Sequence, residues 1–300
     1  MEPDVSIGFG HKVTRSSTLE HQLAVMQQAP GSSAFLLLQA WPRPSARRFW
    51  CNLNNLNPLG KISGKAIVIP WSLLDVAQVP GGSGELRLMQ RGTEFSIRLG
   101  HNELMNSRRS GSEEALGTIA CERIKARNRP QILIGGLGMG FTLRAALAVL
   151  GPEARIVVAE LVPAVLAWAR GSMVEVFGTS LKDPRVRIRE SDVGHLIRSS
   201  RSTFDAILLD VDNGPEGLTR KGNDALYNME GLRAAGTALC SDGILAVWSS
   251  GPDLDFTRRL RKTGFDVDEV RVRANGSRRG ARRVIWIASH ADHGHQAIHV

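Results

Sequence analysis

Residues 131–144 read Gln-Ile-Leu-Ile-Gly-Gly-Leu-Gly-Met-Gly-Phe-Thr-Leu-Arg, and an apolar, Ala-rich stretch runs on from Phe141 to Leu150. An apolar run, glycines at 135, 136, 138 and 140 and then a helical pattern describe a strand, a tight turn and a helix start. Glycine permits positive φ and lets a ligand approach the main chain closely. Free N–H groups at a helix start face whatever lies there. Turns of this kind also occur where nothing binds, so the glycines alone leave a ligand cradle and a plain turn both open.

About twenty residues on, Ile156-Val157-Val158-Ala159-Glu160 is a second buried-strand pattern ending in an acid, where a nucleotide-binding α/β unit puts a carboxylate for ribose hydroxyls. Residues 185–192 alternate apolar and charged side chains, as a strand with one exposed face does, and end at Asp192. Phe204-Asp205-Ala206-Ile207-Leu208-Leu209-Asp210 is another short apolar strand ending in an acid. Each acid alone could equally be a helix N-cap or a solvated loop residue. Together the glycines, Glu160, Asp192 and Asp210 follow four successive strand candidates separated by helical stretches. In an open parallel sheet ligands bind outside the carboxyl ends of the strands, so all four elements line one crevice.

A length of 300 residues, 42% of them apolar, supplies one large or two modest domains. The longest early apolar run, Ala34–Leu38, is far short of the ~20 residues of a membrane span. The start, Met1-Glu2-Pro3-Asp4, lacks the basic region of a signal peptide. Cys51, Cys121 and Cys240 are widely spaced, odd in number and without zinc spacing, which points to a reducing cytoplasm. Cys240 reads as core rather than as a catalytic thiol. The net charge is +9, and Arg271, Arg273, Arg278, Arg279, Arg282 and Arg283 form one basic run. That run is either a phosphate-contacting patch or a solvated connection between strands Val267–Val272 and Val284–Ala288, with Asn275-Gly276 as the turn. The second reading is favoured. Aromatic residues make up 5% of the chain and form no stacking platform, so a nucleic acid is not an expected partner.

Residues 1–67 lack a sustained period and mix Pro, Ser, Gln and Asn; they read either as a poorly ordered N-terminal extension or as upstream, non-native sequence ahead of a start near Val68. Residues 68–110 carry strand patterns Glu85–Met89 and Glu94–Leu99, with Glu103–Asn106 as a candidate third, and are expected to form a small antiparallel sheet. Residues 111–290 are expected to form the nucleotide-binding domain. It opens with a helix over Ser112–Lys125, for which Ser112 is a candidate N-cap, and Trp168 in the helical stretch 163–170 reads as packing. Gly217–Ala238 contains helical turns, where Asn223, Asp224 and the lone tyrosine, Tyr227, either face the crevice or, for Tyr227, pack in the core. Residues 291–300 read as a disordered tail, and His290, His293, His295 and His299 have too little order around them to be read as a metal site.

The series of glycines and acids resembles the class I S-adenosylmethionine-dependent methyltransferase fold and, within it, the spermidine synthase (polyamine aminopropyltransferase) family, over about residues 84–290. Gly135-Gly136 and Leu143-Arg144 match that family's glycine motif, Glu160 its ribose-holding acid, Asp183-Pro184-Arg185 its Asp-Pro-Arg, and Asp192 in Ser-Asp-Val-Gly its adenine-contacting Asp. Asp210 matches the Asp that binds the amine and assists its deprotonation, and Gly214-Pro215 follows as in the family. Leu239–Val247, with Asp242-Gly243, looks like the next strand. The departures fall on the polyamine side. Leu137, Gly138 and Met139 offer no acid where the family's glycine motif has one near the aminopropyl end. Asp212 is offset within a shorter loop. The family's Tyr-His-Glu is Gly111-Ser112-Glu113 here, so only Glu113 carries over, with Glu114 as a competitor. Leu161-Val162 replaces Ile-Asp.

The resemblance implies an α/β, Rossmann-like fold, a mostly parallel sheet with a C-terminal antiparallel hairpin, preceded by the small antiparallel sheet. It implies a transferase with S-adenosylmethionine or its decarboxylated form as donor and no metal. Asp210, then Asp212, are the candidate catalytic carboxylates. Gly136, Gly138, Gly140, Glu160 and Asp192 would hold the donor, and Glu113 and Tyr227 the acceptor. Three functions follow: aminopropyl transfer to an amine in polyamine biosynthesis, methyl transfer to an unknown small molecule, and non-catalytic nucleotide binding. The expected partner is a small-molecule amine or other nucleophile, with no membrane and with room for a homodimer.

Overall fold

The computed structural model describes residues 69–81, 84–211, 214–215, 224–275 and 280–290. The expectations for residues 1–68, for Asp212, Asn223, Gly276, Arg278 and Arg279, and for the tail 291–300 lie outside the described residues.

Two sheets are built. The first is antiparallel in the order β1 (Ser72–Gln78), β2 (Glu85–Arg91), β3 (Glu94–Leu99) and β4 (Asn102–Asn106). Its edge strand β1 leaves no signature in the sequence because nearly all its side chains are exposed, and a bulge between Leu73 and Asp75 breaks the alternation. Leu88 and Ile97 point from the central strands into the main core.

The second sheet has seven strands in the order β10-β11-β9-β8-β5-β6-β7. These are β5 (Gln131–Gly135), β6 (Arg155–Glu160), β7 (Val186–Glu190), β8 (Phe204–Leu209), β9 (Leu239–Ser249), β10 (Phe265–Arg273) and β11 (Arg282–His290). Strand β11 is antiparallel to both its neighbours, and every other pair is parallel. The expected mostly parallel sheet with a C-terminal antiparallel hairpin is therefore present. The hairpin pairs as far as Arg273 with Arg282, so its connection spans 274–281 and is longer than an Asn275-Gly276 turn alone.

Helices cover both faces: α1 (Gly111–Ile124), α2 (Phe141–Val149), α3 (Pro163–Arg170), α4 (Val174–Phe177), α5 (Val193–Arg198), α6 (Asp224–Tyr227), α7 (Met229–Ala238) and α8 (Leu254–Lys262). Central strands buried on both faces read as unbroken apolar runs, and their residues part by alternation. Ile132, Ile134, Ile156, Val158, Ala206 and Leu208 meet α1, α2 and α3, whereas Leu133, Ile207, Leu209, Leu245 and Val247 meet α5, α7 and α8. Helix α1 begins after Ser110, slightly earlier than expected; Ser112 lies inside it and gives its hydroxyl to Glu113. Cys121 is buried and Cys240 half-buried, and burial pushes the Cys121 thiol up to about 12. No helix among the described residues is long and apolar enough to cross a membrane.

Candidate active site

Strand β5 has β6 on one side and β8 on the other, so the chain order reverses there. Crossovers leave such a point on opposite faces and open a crevice at the carboxyl ends of the strands. The main chain fixes what stands in it. Gly136 N–H donates to the Ala159 carbonyl at 2.9 Å, and Asp210 N–H donates to the Gly135 carbonyl at 3.0 Å. Gly136 has φ 90°, and a side chain there would run into the carbonyl oxygen of Asp210. The glycine is thus what lets the acid of β8 stand against the loop after β5.

Two adjoining cavities occupy the crevice, and both are lined by Gly138, Asp210, Leu104 and Met105. The larger holds the strand-end acids Glu160 and Asp192 together with Gly136, Ser191 and Val211. Its roof is Val79, Leu86 and Ile97 of the antiparallel region. Glu160 is buried, and its carboxylate is gripped by main chain: Oε2 accepts from Leu137 N–H and Oε1 from Val162 N–H, both at 2.9 Å. Burial raises its pKa, and these N–H groups act against that. Asp192 is both a cavity wall and the N-cap of α5, with Oδ1 accepting from Gly194 N–H at 2.7 Å and His195 N–H at 3.3 Å. Asp192 thus caps a helix and faces the cavity at once.

The smaller cavity has apolar walls from Met139, Phe141 and Trp248, and carboxylates from Glu113 and Asp210. Helix α1 presents Glu113, whose Oε2 accepts from Ser112 Oγ at 2.7 Å. Its competitor Glu114 lies 3.9 Å from Arg144 and lines neither cavity. Asp210 Oδ2 lies 2.7 Å from Thr142 Oγ1. Burial first, and the Glu113 charge second, push Asp210 up to about 7. Burial raises Glu113 as well, with Arg283 pulling the other way. Two carboxyl groups that share a dry site resist being ionised together.

Two of the expected site residues, Tyr227 and Gly140, line neither cavity. Tyr227 is 2% exposed, packs edge-on to Phe256 with ring centres 5.7 Å apart, and lines neither cavity. Its hydroxyl lies 3.5 Å from the Val211 carbonyl, so it supports the segment after Asp210 from beneath. Gly140 starts α2 at φ 74°, and the space a side chain would need there is filled by the Phe177 ring rather than by a cavity. Asp212 lies outside the described residues. Sequence reasoning missed Thr142 and Trp248. The signal for Thr142 was a lone hydroxyl in an apolar helix start directly after the glycines. Trp248 Nε1 is buried with no hydrogen-bond partner among the described residues. No group of three or more His, Cys, Asp or Glu stands together for a metal among the described residues.

No family model matches the chain, and no curated protein matches it. Solved structures do. A spermidine synthase in complex with the transition-state analogue AdoDATO superposes with a TM-score of 0.58 at 18% identity, over 73% of this chain and 72% of that one. The spermidine synthase from Thermotoga maritima gives 0.56 at 18% identity over the same shares. At this identity the likeness speaks for the fold. The crevice at the β5/β8 reversal and the antiparallel sheet ahead of it thus sit in a fold like that of the spermidine synthases.

Proposed function

We propose that the protein is a transferase that moves an aminopropyl group from decarboxylated S-adenosylmethionine to a small amine. The observation that carries this reading is the charge of the crevice. Glu160, Asp192, Asp210 and Glu113 line the two cavities, and no Lys, Arg or His lines either one among the described residues. A decarboxylated donor carries a sulfonium and an ammonium, and an amine acceptor arrives as a further cation. Such a site suits cations on both sides and offers no side chain to an anionic tail. The similar spermidine synthase that holds AdoDATO supports the same ligand class.

In this reading Glu160 holds the ribose hydroxyls and Asp192 the adenine amino group. The loop Gly136–Gly138 leaves room beneath the sulfonium. The acceptor ammonium lies in the smaller cavity between Glu113 and Asp210, walled by Met139, Phe141 and Trp248. Its proton passes to Asp210. The freed nitrogen lone pair then forms the new N–C bond while the C–S electron pair returns to sulfur, leaving a neutral thioether. The thioether leaves neutral and needs no acid to help it, so holding the two reactants in line about 3–3.5 Å apart is the main task. A carboxyl group with its pKa near 7 is matched to accepting that proton near neutrality.

One observation favours a second reading, methyl transfer from intact S-adenosylmethionine: Leu137-Gly138-Met139 carries no acid, so a donor carboxylate meets no repulsion there. Non-catalytic nucleotide binding is the third reading, and retention of both Asp210 and Glu113 in the smaller cavity speaks against it. Calorimetric binding of the two donors and of methylthioadenosine decides among them, followed by turnover with putrescine, spermidine and other amines. Tighter binding of the decarboxylated donor, with amine-dependent release of methylthioadenosine, supports the proposal. Turnover with the intact donor alone transfers the assignment to methyl transfer.

A further inference from the structure

Thr142 is the second residue of α2, is 2% exposed, and lies at the meeting of three elements. Its Oγ1 is 2.7 Å from Asp210 Oδ2, just past β8, and 3.1 Å from the main-chain oxygen of Glu113 in α1. A hydroxyl has one proton to donate and lone pairs to accept with. The Glu113 carbonyl only accepts. An ionised Asp210 also only accepts, so one hydroxyl proton faces two acceptors. A protonated Asp210 instead donates to Thr142 Oγ1, and the Thr142 proton turns to the Glu113 carbonyl. The carboxyl group is therefore bonded to Thr142 in either protonation state, with only a hydroxyl rotation between them.

We infer that Thr142 is a positioning residue for Asp210: its hydroxyl turns between Asp210 Oδ2 and the Glu113 carbonyl, and holds the carboxyl group in one place while it takes up and releases a proton. This rests on the proposed role of Asp210 as the group that accepts the amine proton. Without the hydroxyl, a buried carboxylate would lose its partner and be free to swing, at a site where ångström-scale placement of reactants sets the rate. Other charged groups act on the same carboxyl. Glu113 faces it from α1, Arg283 of β11 acts on Glu113, and Glu160 and Asp192 stand in the adjoining cavity at the ends of β6 and β7.

The test is the titration of Asp210 in the free protein, followed by ¹³C carboxyl NMR with the Asp210→Asn variant used to assign the signal. Thr142→Val keeps the shape and removes the hydroxyl; Thr142→Ser keeps the hydroxyl. The expected result is an upward movement of the Asp210 midpoint by about one pH unit in Thr142→Val, because both bonds are lost and the charge-assisted bond to the ionised form is the stronger of the two, with near-parental titration in Thr142→Ser. The acid limb of the rate profile for the amine should move by the same amount. An unmoved midpoint in a folded Thr142→Val protein, or a Thr142→Ser protein that titrates like Thr142→Val, overturns the inference. If Thr142→Val does not fold, the same titration on Thr142→Ser and Thr142→Ala decides the matter. No substrate enters this measurement. A moved midpoint with no amine turnover on either donor would leave the titration role of Thr142 standing and remove the proposed function. Amine turnover lost in Asp210→Asn, with an unmoved midpoint in Thr142→Val, would do the reverse.

Discussion

The two halves of the crevice hold their acids by different means. In the larger cavity the partners are backbone: Leu137 and Val162 N–H for Glu160, Gly194 and His195 N–H for Asp192. In the smaller cavity they are hydroxyls, Ser112 for Glu113 and Thr142 for Asp210, and the two carboxyl groups feel each other's charge. A peptide N–H can only donate, so it favours one state of the acid. A hydroxyl can donate or accept, so it tolerates both. The first half gives its acids partners that only donate, and the second gives its acids partners that can turn with the proton.

The largest effect that could break this contrast is on turnover. Asp210→Asn removes the charge and the proton acceptor while keeping the shape, and transfer should fall by ~10²–10⁴ with donor affinity little changed. Single-turnover rates with the best amine found would check it, and near-full activity would place the proton acceptor elsewhere. The same substitution should stabilise the fold. Asp210 is raised from its ordinary 3.8 to about 7 in the folded protein. The native state therefore holds its proton longer than the unfolded chain, and ionising it costs stability as pH climbs through that interval. At about 1.4 kcal/mol per pH unit the ceiling is about 4 kcal/mol. Urea unfolding at pH 5 and pH 8 should show Asp210→Asn ahead of the parent, by more at pH 8. A variant that falls behind at pH 8 would mean that the native fold favours the ionised carboxylate.

Glu160→Gln should weaken donor binding by ~1–3 kcal/mol, the range for losing a charge-assisted hydrogen bond. Calorimetry on Glu160→Gln and Asp192→Asn, both unchanged, would overturn the proposed donor-binding roles of these two acids. The smallest effect separates the two duties of Asp192. As an N-cap it is nearly replaceable by Asn, whereas Asp192→Ala should cost ~0.5–2 kcal/mol of stability. Equal melting of the Asn and Ala variants would argue that the cap bonds do not matter.

Much of this was legible because strand-end positions are local properties of a sequence. An apolar run, a glycine turn and an acid at the end of each next run locate Glu160, Asp192 and Asp210 without knowledge of packing. What was not legible depends on neighbours from elsewhere. Gly140 answers to Phe177, far along the chain, rather than to a ligand. Tyr227 looks the same in sequence whether it faces a crevice or Phe256. Strand β1 buries too little to leave an alternating pattern. Glu113 and Glu114 differ by one helical step, and only the packing of α1 on α2 turns the first toward Asp210.

The roof of the larger cavity belongs to a different sheet from its floor. Trp168 Nε1–H donates to Asp75 Oδ2 at 2.7 Å, which tethers strand β1 to the helix that follows Glu160. Ile97 and Leu86 close the space above. Selection can therefore act on floor and ceiling separately. Changes along residues 72–106 would recut the ceiling, and with it the ligand shapes admitted, while the strand-end acids beneath stay as they are. In a lineage of such chains, specificity would drift faster than chemistry, and the drift would be written in the short sheet.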